Sequence, residues 1–194
     1  MGGTISKITG GKFANGAAGA AFATVVAVVG AGLGGQDNVL RDSKNTDGQK
    51  PNRAGAEKAV NKLYEEGVLS TDQTFDTRDD AAKHFAENLY DITKKNNVEL
   101  GAELTKTGTK WSIGEIQYGD IDAQGHHINL SGKYVIHTHP SGSSFPSGAD
   151  RENVFGSKSL FTGKHMGLYT VGSMTDITYC GMSCSDGGVP RILR

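Results

Sequence analysis

Two stretches in the first half of the chain carry hydrophobic residues at helical spacing. They predict one helix from about residue 54 to residue 66 and a second from about residue 78 to residue 95. The apolar faces consist of Ala56, Val60, Leu63 and Tyr64 in the first helix and Ala82, Phe85, Leu89 and Ile92 in the second. Gly67 suits the end of the first helix, and Thr77 with Asp80 forms a capping pattern before the second.

After Asn96 the hydrophobic positions change from helical spacing to alternation, which is typical of strands. The predicted strands cover residues 98–104, 110–118, 127–130, 133–139, 165–172 and 176–179. A turn at Thr107-Gly108 separates the first two strands, and a helix is predicted from Ser147 or Asp150 to about Leu160. This order of elements predicts an α+β domain of mixed α/β/α type, with a central sheet flanked by helices.

Residues 13–36 form a charge-free segment rich in Ala, Gly and Val. Its apolar centre, Ala20–Leu33, is shorter than the roughly 20 strongly apolar residues that a membrane-spanning helix needs. Three interpretations stay open: a signal-peptide-like segment, a weak membrane helix in which residues 17–33 contact the bilayer, and the remnant of a larger parent protein.

A polar stretch, Asp42–Arg53, follows this segment and contains Gly48 and Pro51, which is typical of a linker. We therefore divide the chain into a Gly/Ala-rich N-terminal segment with its linker, residues 1–53, and a catalytic domain, residues 54–194.

Charge and cysteine content narrow the classes of function. The 20 basic and 21 acidic residues give a net charge of −1, so no basic field favours nucleic acid as a partner. Cys180 and Cys184 are too few for a disulfide scaffold and have the wrong spacing for a zinc ribbon. They are either ordinary thiols or one local disulfide, and they do not fix the cellular compartment.

The strongest chemical signal is a histidine pair, His137 and His139, at the end of a predicted strand. Residues two apart in a strand point to the same face, so both imidazoles can reach one point. A Pro/Ser/Gly loop then leads to Asp150, and Ser147 lies one helical turn before it. Two nitrogens and one carboxylate leave a fourth tetrahedral position open, as in catalytic zinc sites. The Ser147 hydroxyl could donate a hydrogen bond to a developing oxyanion.

The spacing His-x-His-x7-Ser-x2-Asp over residues 137–150 resembles the JAMM (MPN+) metalloprotease motif. With Pro140, Ser141-Gly142 and Pro146 it is most similar to the His-x-His-Pro-Ser-Gly form of the RadC-type branch. The resemblance implies a JAB/MPN-like sheet and a zinc ion held by His137, His139 and Asp150. It also implies that water is the fourth ligand, that Ser147 acts on the oxyanion, and that peptide or isopeptide bonds are hydrolysed.

This family also uses a glutamate on an early strand as its general base. The candidates are Glu99, Glu103 and Glu115. The segment Glu99–Leu104 resembles the glutamate, glycine and aliphatic strand of JAB-like toxin domains, which favours Glu99. In this interpretation Glu99 deprotonates the water and then protonates the leaving amine.

Residues 10–17, GGKFANGA, resemble the connector that precedes the C-terminal toxin domain in RHS-repeat and filamentous-haemagglutinin-like polymorphic toxins. The resemblance implies a secreted effector that is delivered into a target cell and acts in its cytoplasm. It also implies a cognate immunity protein and a protein or peptide substrate.

Two other functions remain as alternatives. A His-x-His strand end also opens the PHP-type phosphoesterase motif, so a metal-dependent nuclease or phosphoesterase toxin is one of them. A non-catalytic MPN-type scaffold is the other. Among the remaining histidines we expect His84 to be partly exposed on a helix and His126 and His127 to be exposed in a loop. We expect His165 to begin a late strand, with a place next to the metal ligands as its alternative role.

Overall fold

The computed structural model describes residues 39–42, 50–122, 125–155, 165–181, 184 and 189–193. The chain divides into two compact units, Met1–Gln36 and Asp37–Arg194, and the described residues belong to the second. The segments on which the membrane and connector interpretations rest, residues 17–33 and 10–17, lie outside the described residues.

The described residues form helices and strands in a mixed order along the chain. The three helices are α1 (Arg53–Glu65), α2 (Arg78–Asn96) and α3 (Gly148–Phe155). The strands are β1 (Val39–Asp42), β2 (Leu100–Thr107), β3 (Lys110–Ile113), β4 (Gln117–Tyr118), β5 (Asp120–Asp122), β6 (Gly125–Asn129), β7 (Tyr134–Thr138), β8 (Gly167–Val171), β9 (Ile177–Cys180) and β10 (Arg191–Leu193).

A mixed sheet of seven strands is the centre of this unit. Its order is β10-β9-β8-β7-β2-β3, and β4 also pairs with β2. Only β7 and β8 run parallel, and the remaining pairs are antiparallel. β7 therefore has a neighbour on each side, with Gly101 of β2 opposite His137 and Thr170 of β8 beside it.

Local sequence explains where the first two helices begin and end. The side chain of Asn52 accepts a hydrogen bond from the amide of Gly55 at the start of α1, and Gly67 adopts a positive φ just after its end. Thr77 and Asp80 form the predicted capping box at the start of α2. Asn97 ends α2 in the left-handed conformation and turns the chain toward β2.

α1 and α2 cover one face of the large sheet and form the main core with it. The helices contribute the predicted Ala56, Val60, Ala82, Phe85 and Leu89, all 0% exposed. The sheet contributes alternate residues of its strands to the same core, among them Leu100, Ala102, Leu104, Ile136, Tyr169, Val171 and Ile177. Burial of this apolar surface is the main source of the domain's stability.

A second, three-stranded antiparallel sheet in the order β1-β6-β5 packs on the opposite face. The core cluster on this side comprises Ile128, Leu130, Val135, Leu168, Cys180 and Cys184, and the two cysteines form a disulfide. A Cβ at Gly101 would lie 2.9 Å from Cδ1 of Ile128, so a glycine in β2 lets this layer approach closely.

The predicted α+β class, with a mixed sheet of several strands and helices, is confirmed. The predicted strand 110–118 is in fact two strands, because the chain leaves β3 at Gly114 and returns to β2 as β4. The end of the third predicted helix, residues 156–160, lies outside the described residues.

The expectation that His126 and His127 are exposed loop residues is wrong. Both lie in β6, His126 is buried and His127 is half-buried, because β6 pairs with β1 and β5 and packs on the large sheet.

Candidate metal centre

The histidine pair lies at the end of the central strand β7. His137 is the fourth residue of β7, and the amide of His139, just after the strand, donates to the carbonyl of Val171 at 2.9 Å. Both side chains are buried, and their Nε2 atoms are 2.8 Å apart. The alternation of the strand therefore brings two imidazole nitrogens together, as the sequence predicted.

The ring of His139 is fixed by a backbone carbonyl. Its Nδ1 lies 2.8 Å from the carbonyl oxygen of Ser143, and a carbonyl can only accept, so Nδ1 carries the proton. In the neutral imidazole this leaves the lone pair on Nε2, which faces His137. Histidines that bind metals are commonly oriented in this way.

Glu99 reaches the same place from the end of α2. It is 0% exposed and directly precedes β2, where its carbonyl accepts from the amide of Gly119 at 2.8 Å. One ligating atom from each of Glu99, His137 and His139 lies within 4.8 Å of the other two. Among the described residues these three form a buried group that could hold a metal ion.

The two alternative glutamates lie elsewhere. Glu103 lies further along β2 on the same face as Glu99. It is half-buried and accepts a hydrogen bond from the hydroxyl of Ser131. Glu115 is exposed in the connection between β3 and β4. Of the three candidates, the structure brings only Glu99 to the histidine pair.

Asp150 faces the histidines from the first turn of α3. Its Oδ1 is 3.6 Å from Nε2 of His137, and its Oδ2 is 3.4 Å from Nε2 of His139. Ser147 and Asp150 also bond reciprocally, since the Ser147 amide donates to Oδ2 at 2.7 Å and the Asp150 amide donates to the Ser147 hydroxyl oxygen at 3.1 Å. This capping pattern starts the helix and aims the carboxylate at the imidazoles.

Ser147 thus has a role that the sequence analysis did not assign. Its hydroxyl oxygen accepts from the Asp150 amide, and its O–H remains able to donate to a bound molecule. Its side chain is half-buried, while Asp150 is fully buried.

Electrostatics favour a cation between these groups. Burial by itself would raise the pKa of Asp150, but the two adjacent imidazoles hold that pKa well below its ordinary value. Glu99 adds a second buried carboxylate beside the same imidazoles. Buried carboxylates are stable only when they are paired or coordinate a metal.

Two of the three distances between candidate ligand atoms are close to those around a small tetrahedral ion. Ligands about 2.0–2.1 Å from zinc at tetrahedral angles lie about 3.3–3.4 Å from one another. The Asp150 oxygens, at 3.4 Å and 3.6 Å from the imidazole nitrogens, match this spacing. The histidine nitrogens, at 2.8 Å, would separate by about half an ångström around such an ion.

Thr138, between the two histidines, points to the other face of the sheet and was not singled out from the sequence. Its Oγ1 lies 2.6 Å from Oγ1 of Thr93 in α2 and accepts from the amide of Leu100 at 2.9 Å. The alternation of β7 was the available signal, since it places this residue against the helices. Thr138 joins the strand that carries the histidines to α2 and to the residue after Glu99.

The remaining histidines lie outside this group. His84 is half-buried on α2, as predicted, with Nε2 donating to the carbonyl of Val68 at 3.1 Å. His165 is buried just before β8, and its Nδ1 donates to the carbonyl of Gly132 at 2.6 Å. The start of β8 pairs with Tyr134 at the far end of β7, so His165 is not beside the metal group.

No protein-family model, no curated protein and no solved structure matches this chain significantly. Within the part of the chain that the structure describes, no helix has the length and apolar character needed to cross a membrane.

Proposed function

We propose that the protein is a zinc-dependent metallopeptidase or isopeptidase. The observation that carries this proposal is the convergence of two buried imidazoles and the Asp150 carboxylate at zinc-like spacing, with Glu99 beside them. A donor set of two nitrogens and one carboxylate leaves the fourth position of a tetrahedral zinc ion to water, as in catalytic rather than structural zinc sites.

The chain's own residues have distinct roles in this proposal. Zinc would supply a Lewis acid that polarises the scissile carbonyl and acidifies a water molecule. Glu99 takes the proton of the attacking water and delivers it to the leaving amine, which breaks the C–N bond. The Ser147 hydroxyl donates to the oxyanion, while its oxygen keeps Asp150 in place.

A JAB/MPN-like fold is part of the same proposal. The histidine pair ends a central strand, the aspartate opens the next helix, and the glutamate begins a neighbouring strand. This order agrees with the motif spacing of residues 137–150 and with the resemblance of residues 99–104.

The first test is metal analysis of the purified protein. We expect about one zinc ion per chain, and we expect His139→Ala to lose it because two protein ligands hold the ion poorly. His84→Ala is the matched control, since His84 is a half-buried histidine that bonds to Val68. Wild-type protein without stoichiometric zinc would contradict the proposal.

The second test asks whether Glu99 acts as the general base or as a metal ligand. Glu99→Gln should retain zinc and lower the hydrolysis rate by about 10²–10⁴-fold, because an amide cannot take the proton. Asp150→Asn should instead weaken zinc binding. Loss of the ion from Glu99→Gln to the extent seen in His139→Ala would make Glu99 a ligand and overturn its assignment as base.

The reaction class is tested with peptide and isopeptide substrates alongside plasmid and RNA. Amine release by the wild type, and not by Glu99→Gln, supports the peptidase proposal. Cleavage of nucleic acid that depends on His139, without amine release, would replace it with a phosphoesterase.

We further propose that the domain is a delivered toxin with a cognate immunity protein, on the resemblance of residues 10–17 to polymorphic-toxin connectors. Expression in the cytoplasm of a sensitive cell should stop growth for the wild type and not for His139→Ala. Equal growth of both strains would remove the toxin proposal and leave the metal centre standing.

A further inference from the structure

A row of four residues crosses the large sheet at the level of the metal centre. Gly101 of β2 pairs with His137 of β7, His137 pairs with Thr170 of β8, and Thr170 pairs with Thr178 of β9. Residues paired in this way project to the same face of a sheet. Thr170 and Thr178 therefore share the face of His137.

The neighbouring rows agree with this assignment of faces. One neighbouring row consists of Val135, Leu168 and Cys180, which are paired across the same three strands. Its side chains meet in the apolar cluster on the side of the small sheet. Ile136 and Tyr169, one residue further, lie in the core on the side of the helices. Thr170 follows Tyr169, so its side chain is on the metal-centre side.

The two threonines of this row differ in what their hydroxyls do. Thr178 donates to the carbonyl of Ser144, in the loop between the histidines and α3. Thr170 is 0% exposed, and its hydroxyl has no hydrogen-bond partner among the described residues. A buried hydroxyl without a partner costs free energy, so its presence next to the strand that carries the histidines points to an additional role.

The chemistry of His137 provides that role. Nε2 of His137 faces Nε2 of His139 and Oδ1 of Asp150, so it is the nitrogen that would bind an ion. An imidazole that binds through Nε2 carries its proton on Nδ1, and this N–H needs an acceptor close to the ring. Adjacent strands lie about 4.8 Å apart, so the hydroxyl of a threonine paired with His137 lies near its ring. The Thr170 hydroxyl does not bond to that ring in the structure, and a shift of the ring or one bridging water molecule would join them.

We propose that Thr170 is a positioning residue for the metal centre, whose hydroxyl accepts a hydrogen bond from Nδ1–H of His137 in the metal-bound protein. It holds the tautomer in which Nε2 is free to bind, as the Ser143 carbonyl does for His139. This inference rests on the proposed zinc site, and it adds a residue from a strand that the motif does not include.

The test compares Thr170→Val, which keeps the shape and removes the hydroxyl, with Thr170→Ser, which restores the hydroxyl. Zinc affinity is measured by chelator competition, and thermal midpoints are measured without metal. We expect Thr170→Val to bind zinc about 10–100-fold more weakly than the wild type. We expect Thr170→Ser to recover most of this loss.

The metal-free midpoint separates positioning from ordinary packing. Thr170→Val should be at least as stable as the wild type without metal, because an unpartnered buried hydroxyl is removed. Thr178→Val is the matched control, since it removes a hydroxyl that bonds to Ser144 and should lower the midpoint. The visible spectrum of the cobalt-substituted protein should change for Thr170→Val if the orientation of His137 is altered.

The outcomes distinguish this inference from the proposal on which it rests. If the wild type binds zinc and Thr170→Val binds it with the same affinity, only the positioning role of Thr170 is overturned. A metal-free midpoint lowered as far as in Thr178→Val would do the same, because it would show a structural hydroxyl. A wild type that binds no zinc would overturn both.

Discussion

Gly119→Ala is expected to destabilise the protein and to displace Glu99. A Cβ at Gly119 would lie 2.6 Å from the carbonyl oxygen of His127 and 2.9 Å from Cβ of Glu99. The first contact is with backbone in the small sheet, so a side-chain rotation cannot relieve it. Overpacking of this kind costs about 1–3 kcal/mol.

Gly114→Ala is the matched control for this change. Both amides donate to a glutamate carbonyl, Gly119 to Glu99 at 2.8 Å and Gly114 to Glu103 at 2.9 Å. A Cβ at Gly114 would have its nearest neighbour at 3.4 Å, an ordinary contact, and neither glycine has a positive φ. A difference in stability between the two variants therefore reports the steric crowding at Gly119, because backbone strain and the loss of glycine's flexibility are the same in both.

The assay is thermal and urea unfolding of both variants, followed by zinc content and hydrolysis. For a domain of this size each kcal/mol lowers the midpoint by about 2–4 °C. We expect Gly119→Ala to lose about 1–3 kcal/mol of stability, to keep zinc and to hydrolyse substrate more slowly. We expect little change for Gly114→Ala. Equal midpoints for Gly119→Ala and the wild type, or an equal loss in Gly114→Ala, would refute the reasoning.

Three further predictions concern a buried hydroxyl pair, a surface carboxylate and the proposed zinc ion. Thr93→Val should cost about 0.5–1.5 kcal/mol in urea unfolding, because it removes the bond between the Thr93 and Thr138 hydroxyls while Thr138 keeps its bonds to the backbone of Leu100. Thr105→Val, at an exposed position, should change stability by less than about 0.5 kcal/mol. Hydrogen bonds from Arg191 hold the pKa of Asp79 below its ordinary value. The ionised carboxylate therefore stabilises the folded protein above about pH 4, and this contribution is lost as the pH falls through the folded-state pKa. Unfolding at pH 7 and pH 3 should therefore show a smaller acid loss for Asp79→Asn than for the wild type, and parallel pH curves would contradict this. If zinc occupies the site as proposed, its removal with a chelator should lower the thermal midpoint of the wild type, because an ion bound only by the native state stabilises that state. The midpoint of a variant lacking either imidazole should not change.

The elements that sequence predicted well are those fixed by local interactions. The first two helices were predicted over residues 54–66 and 78–95, and they span Arg53–Glu65 and Arg78–Asn96. Their caps and apolar faces lie within a few residues of each other, so the pattern contains the information. The same holds for the histidine pair, because two residues of one strand share a face whatever the rest of the fold.

Elements fixed by distant partners were missed or misjudged. β1 and β10 have four and three residues, which is too short for a periodic signal, and they exist through pairing with β6 and β9. His126 sits in a polar stretch that resembles a loop, and its burial follows from packing between sheets. The spacing alone could not choose among three glutamates, because the answer lies in which end of β2 meets the end of β7.

The groups around the candidate metal centre come from different kinds of element. β7 is hydrogen-bonded along both edges, whereas Asp150 arrives on an eight-residue helix after a loop. An ion held between them would leave if α3 moved away from β7, and the loop carbonyls of Ser143 and Ser144, which accept bonds from His139 and Thr178, would resist that movement. Its residence time would then depend on the sequence of the loop over residues 140–147, so the rate of metal exchange can change by mutation there while the sheet stays the same.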